Sequence, residues 1–405
     1  NDSYYQIYPY IKAVNALNLK DKFLSWSFSF GTGQLISGIY TGNVLNWPLF
    51  FIKSEYIPKG IILMEIIKFS LTGFFYFKYL ERKSFSPVLS VLGGCLVMMS
   101  SFMVINASWF NYYSYTGLLW VLWLFSLEKF AAGQWRWLIL CVFLTAIDQV
   151  YNVYLFGLFS LMYLFIKNFG IKNRKQIMIK LGAVFVCGLL PGAVLIASNI
   201  YSIINSPRFD PKYSYFDQLY KTPVFQFASL SELKTFFFRF FSNNIEGIGY
   251  GYEGWNIYVE APLLFIGSIS VLLIGQHVIK KQSQIDYKYL IGFLMILTIV
   301  LFPFFRYAIW FFSADYFRVL SFVVGLLVFE SGLKILNDLI LEKRDINFRI
   351  LTLNLLAILL FFILFRGNYH FYYFKSIALL ICFFTFFAFV KNKQIMLYSI
   401  VGLSL

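Results

Sequence analysis

Long apolar runs separated by short polar connections fill most of the chain. The runs at 59–77, 85–106, 113–127, 136–148, 152–166, 181–200, 259–279, 289–305, 315–333, 350–365 and 371–390 read as transmembrane helices. A twelfth begins near residue 395 and is cut by the chain end. An upright span needs ~20 apolar residues. The runs at 113–127, 136–148 and 152–166 fall short, so they are expected to be tilted or packed inside the bundle. Barrel strands would show ~10-residue alternating segments, and these runs are continuous instead. The expected fold class is all-α: a polytopic transmembrane helix bundle of about eleven complete spans, forming one domain over 1–405.

The connections alternate in charge. Basic residues fill one set: Lys78, Arg82 and Lys83; Lys129 and Arg136; Lys167, Lys172, Arg174, Lys175 and Lys180; Lys280, Lys281 and Lys288; Lys334, Lys343, Arg344 and Arg349; Lys391 and Lys393. The other set is nearly bare, with only Arg306 and Arg366 in its short loops. The positive-inside rule places the basic set in the cytoplasm. Segment 1–58 then becomes the first extracytoplasmic loop, and 201–258 a large second one. A chain that opens outside without a signal sequence predicts a first transmembrane helix upstream of Asn1, and the cut twelfth span predicts a continuation beyond the C-terminus.

Composition agrees with the pattern. Hydrophobic residues make up 60% and charged residues 13%, with mean hydropathy +0.70. Soluble domains carry about 45–50% apolar and about 25% charged residues, so a soluble globule and a disordered chain are both excluded. The net charge of +15 would suggest nucleic acid in a soluble protein. Here it follows from the cytoplasmic loops, and no nucleic-acid partner is expected. Cys95, Cys141, Cys187 and Cys382 all lie within apolar runs and read as small hydrophobes, without disulfide or metal-site spacing.

The acids separate by side. Eleven of the 19 fall outside or at the outer edge, six lie among cytoplasmic Lys and Arg, and Glu65 and Glu330 lie within spans. Outer acids keep amide and aromatic company: Asp2-Ser3-Tyr4-Tyr5-Gln6, Asp148-Gln149-Val150-Tyr151-Asn152 and Glu253-Gly254-Trp255-Asn256. Carboxylates and amides hydrogen-bond hydroxyls, and aromatic rings pack on the apolar face of a sugar. The chemistry is therefore expected on the outer face. There is no P-loop, GxGxxG, HExxH or GxSxG motif. With His277 and His370 as the only histidines, a histidine-based metal site or triad is not expected; no cofactor is predicted, and a divalent metal stays open. Intramembrane charges are functional candidates by default. Lys68 and Glu65, three residues apart, equally suit an internal ion pair, and Glu330 lies one turn from the basic inner loop.

The outer segments carry helical signals of their own. Tyr5, Tyr8, Ile11, Val14, Ala16 and Leu19 are near helical spacing, with Pro9 early, which predicts a short helix on the membrane surface. A polar and aromatic loop, 24–33, and a second interfacial piece, 34–52, follow. Ser229-Leu230-Ser231-Glu232 forms a capping box before Leu233 to Phe241. The phenylalanine face of that helix suits a surface anchor or a substrate lid. Glycines 247, 249, 251 and 254 lead to Trp255-Asn256-Ile257-Tyr258.

Two opening motifs resemble the first outer loop of the bacterial YfhO family: Asp2-Ser3-Tyr4-Tyr5-Gln6-Ile7-Tyr8-Pro9, and Trp26-Ser27-Phe28-Ser29-Phe30-Gly31-Thr32-Gly33. Asp148-Gln149-Val150-Tyr151-Asn152-Val153-Tyr154, Asn256-Ile257-Tyr258 and Tyr316-Phe317-Arg318 extend the resemblance through the chain in order. It implies a GT-C class membrane glycosyltransferase. The donor would be a polyprenyl-phosphate sugar in the outer leaflet, and the acceptor a cell-envelope polymer such as lipoteichoic acid. The resemblance makes Asp2 the catalytic base. Tyr5, Gln6, Asp148, Asn152, Asn256, Tyr258, Asp315 and Arg318 are the substrate-binding candidates. A guanidinium grips phosphate oxygens bidentately, which suits Arg318, with Arg306 and Arg366 as alternatives. The resemblance implies a first helix upstream of Asn1 and, as in many relatives, a C-terminal soluble domain, neither of which is expected within residues 1–405. Membrane lipids are the remaining expected partners. A transporter or flippase of a lipid-linked saccharide is the competing function, and it predicts charges at midspan. A non-catalytic scaffold for envelope assembly is the third reading.

Overall fold

In the computed structural model the described residues are 5, 7–17, 22, 26–27, 34–35, 42–109, 111–167, 174–204, 219–241, 269–278, 287–310, 312, 319–341, 345–365 and 370–389. The chain forms two compact units, one from Asn1–Arg82 with Met103–Ser214, the other from Lys83–Phe102 with Tyr215–Leu405. Almost every described element is a helix. The exception is an antiparallel pair of two-residue strands, β1 (Trp26–Ser27) and β2 (Gln34–Leu35), in register Trp26 to Leu35. It lies where the sequence predicts an open polar and aromatic loop.

Unit 1 opens with α1 (Tyr8–Ala16), which carries Pro9 in its first turn. A first-turn proline loses no helical hydrogen bond, because that N–H has no partner inside the helix. Its C-terminus is closed by the Lys22 ammonium, which donates to the carbonyls of Val14 (3.0 Å) and Asn15 (2.6 Å). Burial lowers the pKa of that ammonium below its ordinary value. The apolar side of α1 does not face lipid alone. Ile7, Ile11 and Val14 are buried against Leu49, Phe50, Ile57 and Met64. Asn15 donates to the carbonyls of Leu49 and Ile52. Leu49 and Phe50 belong to a 3-10 turn, Val44–Phe50, that leads towards α2 (Ile57–Arg82).

The centre of unit 1 is α5 (Asn111–Ala131), which follows α4 (Ser101–Trp109) and packs against α2, α6 (Arg136–Asp148) and α7 (Val150–Lys167). Trp120 and Trp123 are buried; Trp123 donates to Ser160 Oγ at 2.6 Å, and Trp120 meets Phe156 edge-on. Near the C-terminus of α5, Glu128 accepts from Tyr163 and pairs with Lys167. Helix α8 (Arg174–Leu189) continues through a short 3-10 turn into α9 (Ala193–Ile204).

Unit 2 takes in α3 (Pro87–Met98), α10 (Leu230–Arg239), α11 (Ile269–Ile274), α12 (Tyr287–Leu301), α13 (Pro303–Ile309), α14 (Val319–Ile340), α15 (Phe348–Leu364) and α16 (His370–Phe389). Helix α14 packs on α11, α12 and α3. Glu330 does not reach water through its own loop, because Lys83 of the preceding basic connection pairs with it. Gln276 and Asn347 exchange two hydrogen bonds of 3.0 Å through the Asn347 backbone.

The run at 289–305 is not one straight span. Its two helices, α12 and α13, meet at about 100°. Proline at 303 cannot continue the ladder and holds Phe302 extended, at φ −122°, ψ 96°. The Leu301 carbonyl released at the break accepts the Ala228 N–H at 2.8 Å.

By length and composition, four described helical stretches suffice to cross a membrane: Ser54–Arg82, Pro87–Ala107, Val150–Lys167 and Lys175–Ala197. The bent pair would make a fifth, and Phe348–Leu364 and Phe374–Ala388 are shorter apolar helices. Among the described residues, eleven helices of spanning length are not seen. Helix α6 has only 13 residues, or about 20 Å at ~1.5 Å per residue.

Candidate functional site

One end of unit 1 carries a sealed polar cluster. Helix α6 ends at Asp148, Gln149 is extended, and α7 begins at Val150. The Gln149 N–H donates to Thr145 at 2.8 Å, and the Asn152 N–H returns to the Gln149 carbonyl at 3.0 Å. The polar motif 148–152 thus forms a helix-to-helix corner, and it carries Asp148 and Asn152 into the interior. Asp148 is 0% exposed and Asn152 2%.

Glu65 and Lys68 approach from α2. Lys68 Nζ lies 2.6 Å from Glu65 Oε1 and 3.5 Å from Ser114 Oγ of α5. Lys68 also acts electrostatically on Asp148, and Asp148 in turn on Tyr115. Tyr115 is buried, and its hydroxyl approaches the Val44 backbone. The segment before α2 closes the group. A Cβ on Gly42 would lie 2.1 Å from the Ile147 carbonyl oxygen and 2.4 Å from Asp148 Cα. Only a residue without a side chain allows that approach. Asn43 caps the 3-10 turn by accepting the Leu45 N–H.

Several buried atoms here have no hydrogen-bond partner among the described residues: Asp148 Oδ1 and Oδ2, Glu65 Oε2, Asn43 Nδ2 and Asn46 Oδ1. Buried polar groups are nearly always satisfied by protein or by ordered water, so five such atoms on adjacent elements mark a place built for more than packing.

Of the site residues expected from sequence, Tyr5, Asp148 and Asn152 are described. Tyr5 is 73% exposed, whereas Asp148 and Asn152 are enclosed. Asp2, Gln6, Asn256, Tyr258, Asp315 and Arg318 lie outside the described residues, as does Arg366. Arg306 is fully buried on α13, and its Nη2 donates to Glu232 Oε1 at 2.9 Å. The second Glu232 oxygen accepts the Ser229 N–H in the predicted capping box. Arg306 is thus matched with a carboxylate of its own unit. The sequence pattern does not single out Tyr115, Ser114 or Gly42–Asn46. The one signal it offers is the polar start Ser114-Tyr115-Thr116 of an otherwise apolar helix. No group of three or more His, Cys, Asp or Glu able to hold a metal occurs among the described residues.

Helical units of this length and apolarity, with a charged interior screened by a loop, define a multi-pass membrane protein. The family model described as bacterial membrane protein YfhO matches residues 1–405, the whole chain, and the protein belongs to that family. Neither a curated protein nor a solved structure matches the chain.

Proposed function

We propose that the protein is a membrane glycosyltransferase of GT-C type. It would move a sugar from a polyprenyl-phosphate donor to an extracytoplasmic envelope polymer of the teichoic-acid kind. What supports this reading is membership of the YfhO family, together with the sequence distribution of acids, most of which the positive-inside rule assigns to the outer side, Asp2 among them. In the step, the Asp2 carboxylate takes the proton of an acceptor hydroxyl. The hydroxyl oxygen bonds to the anomeric carbon as the bond from that carbon to the phosphate oxygen breaks. The polyprenyl phosphate leaves with the electron pair, and Arg318 beside Asp315 neutralises the charge that develops. Exposed Tyr5 offers a ring face to the sugar, and Gln6, Asn256 and Tyr258 offer hydrogen bonds. Asp148 and Asn152 would support the loop from behind.

The test is transfer of labelled sugar from a polyprenyl-phosphate donor to polymer in membranes carrying wild type or Asp2→Asn. Loss of transfer at unchanged protein level supports the reading, and full transfer by Asp2→Asn removes Asp2 from the mechanism. Movement of a lipid-linked saccharide across the membrane is the second reading. Buried Glu65, Lys68 and Asp148 favour it. Flux of labelled saccharide into vesicles without transfer to polymer would decide for it.

A further inference from the structure

Two carboxylates and one ammonium are buried together in unit 1. Glu65 is 8% exposed, and Lys68 and Asp148 are 0% exposed. Lys68 is matched at 2.6 Å by Glu65, which makes a neutral pair. Asp148 is then left over: among the described residues neither of its oxygens accepts a hydrogen bond. An isolated ionised carboxylate is too costly to keep away from water, so it takes up a proton or a counter-ion.

Among the described residues, the other titratable groups on the surrounding elements do not supply that charge. Tyr115 on α5, Cys141 on α6 and Tyr151 at the start of α7 are neutral when protonated. The basic residues of α8, Arg174, Lys175 and Lys180, lie in its first half, whereas Gly188 near its end and Gly192 in the 3-10 turn that follows are the positions that meet α6, at Val142 and Ile147. The stretch Gly42–Asn46, which closes over Asp148, contains no ionisable side chain.

We infer that the polar interior of unit 1 takes up one further unit of positive charge beside Asp148, either as a proton or as a single alkali cation. Size argues for such an occupant. Asp148 is fully enclosed and the Gly42 backbone lies against it, so a small occupant suits the site. The chemistry also fits. The unmatched atoms include the two Asp148 oxygens and Glu65 Oε2, all oxygens that suit a hard cation or a shared proton. Asp148 bridges two parts that belong to different stretches of chain, the α6–α7 corner and the segment before α2. Occupancy of the site therefore sets how tightly that segment is held. The inference does not depend on the transfer reaction.

The experiment uses the full chain in lipid nanodiscs. The thermal midpoint is measured at constant ionic strength in sodium, potassium or choline chloride, from about pH 6 to about pH 9. Wild type, Asp148→Asn and Glu65→Gln are compared. If a proton is the occupant, the wild-type midpoint falls by several degrees as pH rises, equally in all three salts. If an alkali cation is the occupant, sodium or potassium raises the wild-type midpoint above that in choline, most at the high end of the range. Asp148→Asn and Glu65→Gln each remove the surplus negative charge, so each is expected to lose the wild-type response. Glu65→Gln carries the same test should Asp148→Asn fail to fold. A wild-type midpoint that runs parallel to the neutralised variants across every salt and pH overturns the inference.

Discussion

Lys68 and Glu65, three residues apart on α2, form a 2.6 Å ion pair with the ammonium fully shielded from solvent. Helical spacing puts both on one face, and α5 covers that face. Removing one partner of a buried pair leaves an uncompensated charge, whereas replacing both with apolar groups is often neutral. Lys68→Met is expected to destabilise by about 3–5 kcal/mol. Glu65→Leu combined with Lys68→Met is expected to recover much of that loss, unless Asp148 depends on the ammonium. Denaturation in detergent checks both, and an unaltered single variant contradicts the burial argument.

Gly42 is the contact between the segment before α2 and the α6–α7 corner. Its Cα stands where an added methyl would overlap the backbone of Ile147 and Asp148, which cannot yield as a flexible side chain would. Gly42→Ala is expected to cost about 1–3 kcal/mol, the range for overpacking. Gly133, with φ +85° in an open turn, is a useful control. Gly133→Ala strains the backbone without touching the site, so only Gly42→Ala is expected to expose the Gly42–Phe50 stretch to protease.

In unit 2, Arg306 and Glu232 tie the break at Phe302 to α10. Glu232 is held twice, by the guanidinium and by the Ser229 N–H. Arg306→Ala leaves a partly buried carboxylate without its cation. It is expected to cost about 3 kcal/mol and to loosen 219–241 towards protease. Retained protection would show that the aromatic contacts of Phe237 with Phe361 and Phe362 suffice.

Ser229 provides the N-cap of α10 through its acceptor bond from the Glu232 N–H at 3.2 Å. Ser229→Ala is expected to cost about 1 kcal/mol, read as a small drop in thermal midpoint. A larger loss would mean that the cap also governs the docking of Arg306.

Much of the architecture is legible in the order of residues alone. Apolar runs locate α2, α6 and α7 closely, Pro9 marks the start of α1, and Ser229 with Glu232 announces α10 by its cap. These are local signals, carried by neighbours along the chain. What stays hidden depends on partners distant in sequence. Pro303 is visible within 289–305, but the turn it makes needs Ala228 to satisfy the Leu301 carbonyl. The greasy side of α10 suggests a lipid anchor, yet Phe236 and Phe240 pack near Val300, Val324 and Val328. Glu330 looks able to reach water and instead meets Lys83. Asp148 has the pattern of an edge charge, because a single sequence does not tell that the segment before α2 folds over it. The outer acids and the YfhO-like motifs are legible as a set, and the geometry of Asp2, Asp315 and Arg318 falls outside the described residues.

Outward placement of the first loop underlies the whole functional account, and its sidedness is measurable at one position. Ser3→Cys, in a background with the four native cysteines replaced, would be treated on intact cells with a membrane-impermeant maleimide. The account predicts labelling without permeabilisation. Labelling that requires permeabilised cells would place Asp2 on the cytoplasmic side, out of reach of an outer-leaflet donor, and would contradict it.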